Sequence, residues 1–195
     1  MKTAIKSVAV MAVILLLAVP ANATKPDKTA IPPVPKDQAQ IVFLRHSIVS
    51  ARETTLLYDT TSGQPKVIAV MNNNRKFVLN VPPGEHVFMV GNLPLCDFLQ
   101  ATVLPDKRYH VVIVPHWPES FTMRPVRHTD GILYTSEEFH DLLKYTTHVG
   151  GVPESVKEDA LKQAESDYKP KWEQWQAKTP DQKAILTLRA EDSET

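Results

Sequence analysis

From residue 39 to about 126 the chain offers only short apolar runs, rich in Val, Ile, Phe and Tyr, each cut off by Gly, Pro, Asn, Asp or Ser. A helix needs apolar residues recurring every three or four positions over ten or more residues, whereas a strand needs only a brief alternating run. The rhythm therefore leaves room for strands and little else. It predicts strands at residues 41–44, 55–58, 66–71, 75–81, 86–90, 99–104 and 108–114, with 122–126 as an added edge strand. Short strands at this spacing predict a mainly β fold, an antiparallel β-sandwich of seven to eight strands.

The strands differ in how many faces they bury. In 75–81, Phe77, Leu79 and Val81 share one face by the period of two, while Lys76, Val78 and Asn80 share the other. Residues 41–44 are apolar on both faces, and 109–114 are apolar throughout apart from His110, so that 108–114 reads as a central strand. Between the runs, Thr61-Ser62-Gly63-Gln64-Pro65 separates two strands, and Asn72-Asn73-Asn74 can supply the left-handed backbone of a tight hairpin. Pro83 presets φ and Gly84 accepts a positive φ, which predicts a type II turn closing a hairpin there.

After Asp130-Gly131 the period changes. Ser136 followed by Glu137 and Glu138 predicts a short helix to about Lys144, with acids placed to favour the macrodipole. Ser155 with Glu158 fits a capping box opening a second helix, which Pro170 is expected to kink or interrupt. Its apolar stripe is Val156, Ala160, Ala164, Tyr168 and Trp172. Thr179-Pro180-Asp181-Gln182 predicts a third helix start, then a short turn through Ile185 and Leu188 and an acidic tail.

The first 23 residues address the chain. Lys2 and Lys6 precede an apolar run at 8–19, and Ala21-Asn22-Ala23 gives a small-x-small pattern, so residues 1–23 are expected to be a signal peptide cleaved before Thr24. The run is short for a membrane span of about 20 residues. Without these residues the chain keeps 172 of its 195, with 20 Lys and Arg against 22 Asp and Glu. Interleaved charge of nearly zero balance argues against both nucleic acid and an anionic membrane surface as partners. Cys96 is the only cysteine, so no internal disulfide can form, and Thr24 rather than a cysteine follows the leader, which leaves no lipid anchor. The expected address is the periplasm. Residues 24–38, with Pro26, Pro32, Pro33 and Pro35, read as a linker, 39–128 as the β domain and 129–195 as a helical extension.

Residues 39–45 (AQIVFLR), 81–86 (VPPGEH) and 109–113 (YHVVI) together resemble a bacterial family of exported β-sandwich domains of unknown function, many of them lipoproteins, with PEGA-like hairpins. The resemblance covers residues 39–126 and implies a fold and an envelope location, with no catalytic residues to transfer. Two departures stand out. Pro105-Asp106-Lys107 replaces the family's Gly-Lys turn, and the lipoprotein cysteine is missing.

Chemistry is sparsely marked. The seven histidines show no pair at the tight spacing of zinc ligands, and no cofactor or metal is expected. Ser47, Ser120 and Ser136 lack a nucleophile elbow. Cys96, between Leu95 and Phe98, is expected to be a buried, inert thiol. One cluster remains: Tyr168, Trp172 and Trp175 form an aromatic ridge on a charged helix. Docked on the sheet it closes a core; exposed, it would anchor an envelope protein or stack on a glycan. These features predict a non-enzymatic interaction or structural module of the envelope. The competing expectation is a small-ligand or metal binder, or a hydrolase, with a pocket between sandwich and helices lined by His110, His116 or His128.

Overall fold

Strand β1 (Ala39–Arg45) is buried along its whole length in the computed structural model, which describes residues 29–92, 95–116 and 120–195. The expected signal peptide lies outside the described residues. Alternation sends Ile41 and Phe43 into one apolar cluster and Val42 and Leu44 into another on the opposite face. β2 (Thr55–Asp59), β3 (Lys66–Met71), β4 (Arg75–Val81), β5 (Gly84–Asn92), β6 (Leu95–Val103), β7 (Arg108–His116) and β8 (Ser120–Arg127) follow where the alternating runs place them.

The fold is mainly β and has two sheets. Together with β9 (Ile132–Leu133), β10 (Thr147–His148) and β11 (Thr187–Leu188), the strands order as β10-β4-β1-β7-β8-β9 and as β11-β6-β5-β2-β3. They are mixed rather than antiparallel: β1 runs parallel to β7, and β9, β10 and β11 run parallel to their neighbours. The reason is topological. Successive strands reverse direction, and the chain crosses between sheets after β1, β3, β4 and β6, so two odd-numbered strands become neighbours. Both sheets contribute to the same apolar cluster, from Ile41, Phe43, Tyr109 and Val111 on one side to Leu57, Phe88, Val90 and Leu99 on the other.

Those crossings correct two expected hairpins. β3 and β4 lie in different sheets, so Asn72-Asn73-Asn74 is a crossover, although Asn74 does take the left-handed φ of 58°. Likewise Pro82-Pro83-Gly84 carries the chain from β4 to β5 in the other sheet, and Gly84 has φ 130° rather than a type II value. A Cβ there would meet nothing within 4 Å, so only the backbone conformation demands glycine. Gly84→Val is expected to cost about 1 kcal/mol or more through that φ alone. Urea denaturation checks this, and an unchanged midpoint would refute it.

The segment after residue 128 is more than helices. Its three two-residue strands pair with short parts of β4, β8 and β6, so that among the described residues one sheet ends at β10 and β9 and the other at β11 and β3. α1 (Glu137–Tyr145) is capped as expected by Ser136 Oγ, which accepts from Phe139 N, and packs Phe139 and Leu142 on the outer face of the first sheet. α2 (Glu154–Gln176) starts after Pro153 without a side-chain cap, so the expected capping box at Ser155 does not form, and it runs through Pro170 without interruption. Packing of Ala160 and Ala164 against Tyr58, Val67 and Met89 holds the helix on the second sheet despite the missing donor. α3 (Pro180–Ala184) has the predicted box between Thr179 and Gln182.

Two expected loose ends are tied down. Residues 29–38 form no strand, yet Lys76 Nζ donates to Thr29 O at 2.6 Å, Arg108 Nη2 to Pro32 O at 2.7 Å, and Ile31 packs on the outer apolar cluster. At the acidic tail, Asp192 is buried beside Arg127 at 3.5 Å and accepts from Arg189 N, while Glu194 pairs with Arg108.

Candidate functional site

The aromatic ridge faces inward. Tyr168, Trp172 and Trp175 all present edges to Phe98 of β6, with ring centroids 5.8, 5.2 and 6.2 Å away. Trp172 and Trp175 stack on each other at 5.1 Å and 6°. Trp175 is 2% exposed and donates Nε1–H to Phe98 O, whereas Tyr168 and Trp172 are half-buried. Each indole therefore covers one face of the other and Trp175 is tied to the sheet, while Tyr168 and Trp172 keep part of their surface open.

The histidines separate. His110, on the outer face of β7, is fully buried between Phe139 and Tyr134 at 5.0 and 5.7 Å. Among the described residues neither ring nitrogen has a hydrogen-bond partner. Burial, with Arg108 and Lys76 nearby, pushes its pKa down to about 3, so the ring is neutral. His128 bonds Ser193 O through Nε2 at 2.8 Å and packs on the other side of the same Tyr134 at 4.9 Å, at the Arg108 end of β7 and away from His116. Among the described residues, no group of three His, Cys, Asp or Glu side chains could hold a metal.

His116 alone reaches a cleft between the β body and α2, which the pocket expectation required. Its walls come from β6 (Cys96, Asp97, Phe98), the paired ends of β7 and β8 (His116, Ser120, Phe121, Thr122) and the end of α2 (Lys171, Gln174, Trp175) with Lys178 just beyond, around about 280 Å³. The topology creates the opening. β11 pairs with β6 only at Gln100 and Ala101, so the Leu95–Phe98 half of β6, paired with β5 on one side, has no described strand on the β11 side, and α2 closes over the gap.

Asp97 is the organising group. Its Oδ2 accepts from Thr122 Oγ1 at 2.8 Å, its Oδ1 accepts from Phe98 N at 2.9 Å, and Lys178 Nζ sits 3.4 Å from Oδ1. The carboxylate is thus fixed to both sheets, while Lys178, a third exposed at the end of its chain, is held loosely. Lys171 brings a second cation to the rim, its Nζ donating to Gln174 Oε1 at 3.4 Å. Ser120 Oγ donates to the carbonyl of His116 at 3.3 Å. That bond turns the hydroxyl to the backbone, and among the described residues no hydrogen bond joins it to the imidazole, so the pair is not arranged as nucleophile and base. Cys96 corrects an expectation: it is half-buried and lines the cleft. It lies opposite Gly91, where a Cβ would come within 2.7 Å of Cys96 Cα, so only glycine lets β5 approach this wall.

Lys171, Trp175 and Lys178 follow the i, i+4, i+7 spacing of one helix face, a signal the sequence carries. Which strands lie beneath that face is not written in any local pattern. Compared with known families and with curated proteins, the chain matches neither a family model nor a protein sequence.

Proposed function

We propose that the chain is exported to the periplasm and works there as a non-enzymatic β-sandwich module of the cell envelope that binds a small anionic molecule in the cleft beneath the end of α2. The observation that carries this reading is the convergence of Lys171, Lys178 and His116 on one cavity whose only acid among the described residues, Asp97, is already engaged by Thr122, Phe98 N and Lys178. A ligand carboxylate or phosphate would draw Lys178 away from its loose 3.4 Å contact and leave Asp97 with its two fixed donors. Phe98, Phe121 and Trp175 give the cavity apolar walls, and its volume is at the small end for ligand pockets. The Ser120 hydroxyl bond to a backbone carbonyl supports binding rather than bond-making. The leader pattern of residues 1–23 and the family resemblance support the envelope address.

Titration of the folded protein with short mono- and dicarboxylates and phosphomonoesters, followed by amide NMR, tests the proposal. Shifts are expected at Asp97, His116, Thr122 and Lys178. Lys171→Ala/Lys178→Ala is expected to weaken the best ligand at least tenfold at low salt, and the corresponding neutral amide is expected not to bind. Equal binding of the amide, or no shift in these residues with any anion, would overturn the ligand class. Turnover of any substrate that Ser120→Ala abolishes would overturn the non-enzymatic part.

A further inference from the structure

We infer that a second cavity, at the β8 edge of the first sheet, binds a small apolar zwitterion: an α-amino acid with an apolar side chain, or a short peptide of such residues. It encloses about 380 Å³, against about 280 Å³ for the cleft beneath α2, and so falls within the range of small-ligand pockets. It opens because β9 pairs with β8 only at Val126 and Arg127, which leaves residues 120–125 with no described strand on that side. Val114, Pro125, Ile132 and Ile185 line it with apolar surface. Its charged lining comes in two pairs, Arg127 with Asp130 and Arg124 with Glu138, which behave differently.

The first pair builds the wall. Arg127 is buried, and its Nη1 donates to Asp130 Oδ2 at 2.7 Å while Nη2 donates to Ala184 O at 2.6 Å and Thr187 O at 2.8 Å. Those two carbonyls bracket Ile185, so one guanidinium fixes both the acid and the segment that brings the apolar side chain to the cavity. Thr129 Oγ1 donates to the other oxygen of Asp130 at 3.2 Å. The charges of this pair are taken up within the protein, and a wall fixed before the ligand arrives loses little freedom on binding.

The second pair selects the occupant. Arg124 shares the outer face of β8 with Val126 by the period of two, and Glu138 stands in the first turn of α1. Among the described residues neither side chain makes a hydrogen bond or an ion pair, with the other or with anything else, although both line one cavity. A cation and an acid kept apart in this way offer a carboxylate one partner and an ammonium another. A ligand with only a negative charge would set it near Glu138 without compensation, and one with only a positive charge would do the same with Arg124. An uncharged apolar ligand would strip water from both groups and return no bond. The ligand's side chain has its own place: Ile185 is 44% exposed and Val114 and Ile132 are half-buried, so apolar surface open to water is there to be covered.

The test titrates the folded protein with leucine at low salt and follows amide NMR. Shifts are expected at Val114, Arg124, Ile132, Glu138 and Ile185. N-acetyl-leucine, which lacks the ammonium, leucinamide, which lacks the carboxylate, and glycine, which lacks the side chain, are each expected to bind at least tenfold more weakly. In Glu138→Gln the penalty for acetylation is expected to vanish while that for amidation stays, and in Arg124→Gln the reverse, a pattern that loss of structure does not produce. Tighter binding of leucyl-leucine than of leucine assigns the cavity to peptides, and weaker binding assigns it to the free amino acid. Equal binding of leucine and its three analogues, penalties that both variants leave in place, or no shift at these residues with leucine or leucyl-leucine would overturn the inference. The shifts are expected to persist in Lys171→Ala/Lys178→Ala, which disables the cleft beneath α2, so the two sites fail separately; their loss in that variant would refute a second site.

Discussion

Arg45→Met is expected to lower the free energy of unfolding by about 3–5 kcal/mol, an effect that urea denaturation would read directly. Arg45 is fully buried, and among the described residues no carboxylate pairs with it; its charge is held by the carbonyls of Met71, Ser50 and Glu53, with the guanidinium 4.5 Å above the Phe121 ring. Desolvation draws its pKa below the ordinary arginine value, with Glu53 partly opposing, yet an arginine stays protonated. Methionine keeps the stem and its packing but removes the side-chain donor from three carbonyls, two of them in the 46–54 loop, where Ser50 O keeps its bond from Glu53 N. Exchange in that loop is expected to quicken. Arg45→Lys keeps the charge without the planar fork and is expected to recover only part of the loss. Full stability in Arg45→Met would mean that desolvating the charge costs as much as these bonds contribute, and full recovery with lysine would refute the fork.

His110 is expected to make the fold acid-labile. A histidine whose folded pKa is about 3 binds its proton in the unfolded chain, near 6.5, long before it does so in the native state. Stability from the neutral ring is therefore complete above pH 6.5 and is lost as pH falls from there toward 3. The slope is about 1.4 kcal/mol per unit, or about 3 kcal/mol by pH 4.5. Arg108 and Lys76 reinforce the effect of burial, and among the described residues no acceptor rewards protonation, since both ring nitrogens lack a partner there. Asp192 opposes this trend, because burial holds its pKa above the usual carboxylate value. The comparison that isolates His110 is parent against His110→Leu, denatured in urea at pH 8 and at pH 4.5. The variant is expected to match or exceed the parent at pH 8 and to exceed it by about 3 kcal/mol at pH 4.5. A constant difference across that range would sink the account.

His110 also shows how far one residue's neighbours can be anticipated. As the lone polar residue of an apolar run it reads as an interior oddity, and β7 is indeed an interior strand, between β1 and β8. Its real environment, Phe139 from α1 and Tyr134 from the segment before it, comes from residues two dozen and more positions away. The cleft follows the same logic. Lys171, Trp175 and Lys178 share a helix face by their spacing alone, but Asp97, Thr122 and His116 join them only because β6 and β8 belong to different sheets that meet there. Cys96 reads as buried from its apolar neighbours and is half-buried because β11 stops short of it.

What local chemistry could dictate, it did: alternation set where strands run and which side chains share a face, and Ser136 and the Thr179–Gln182 box set two helix starts. Those features depend on residues within a turn or a strand of one another. Partner choice between strands does not. Sheet order, the parallel neighbours, the crossovers at Asn72–Asn74 and Pro82–Gly84, and the three short strands at the sheet edges arise from contacts between segments distant in the chain. Many pairings would satisfy the same alternation. The one that occurs lets both faces of each sheet bury apolar surface, toward the shared core within and under α1 and α2 without, and that burial is a property of the assembled layers.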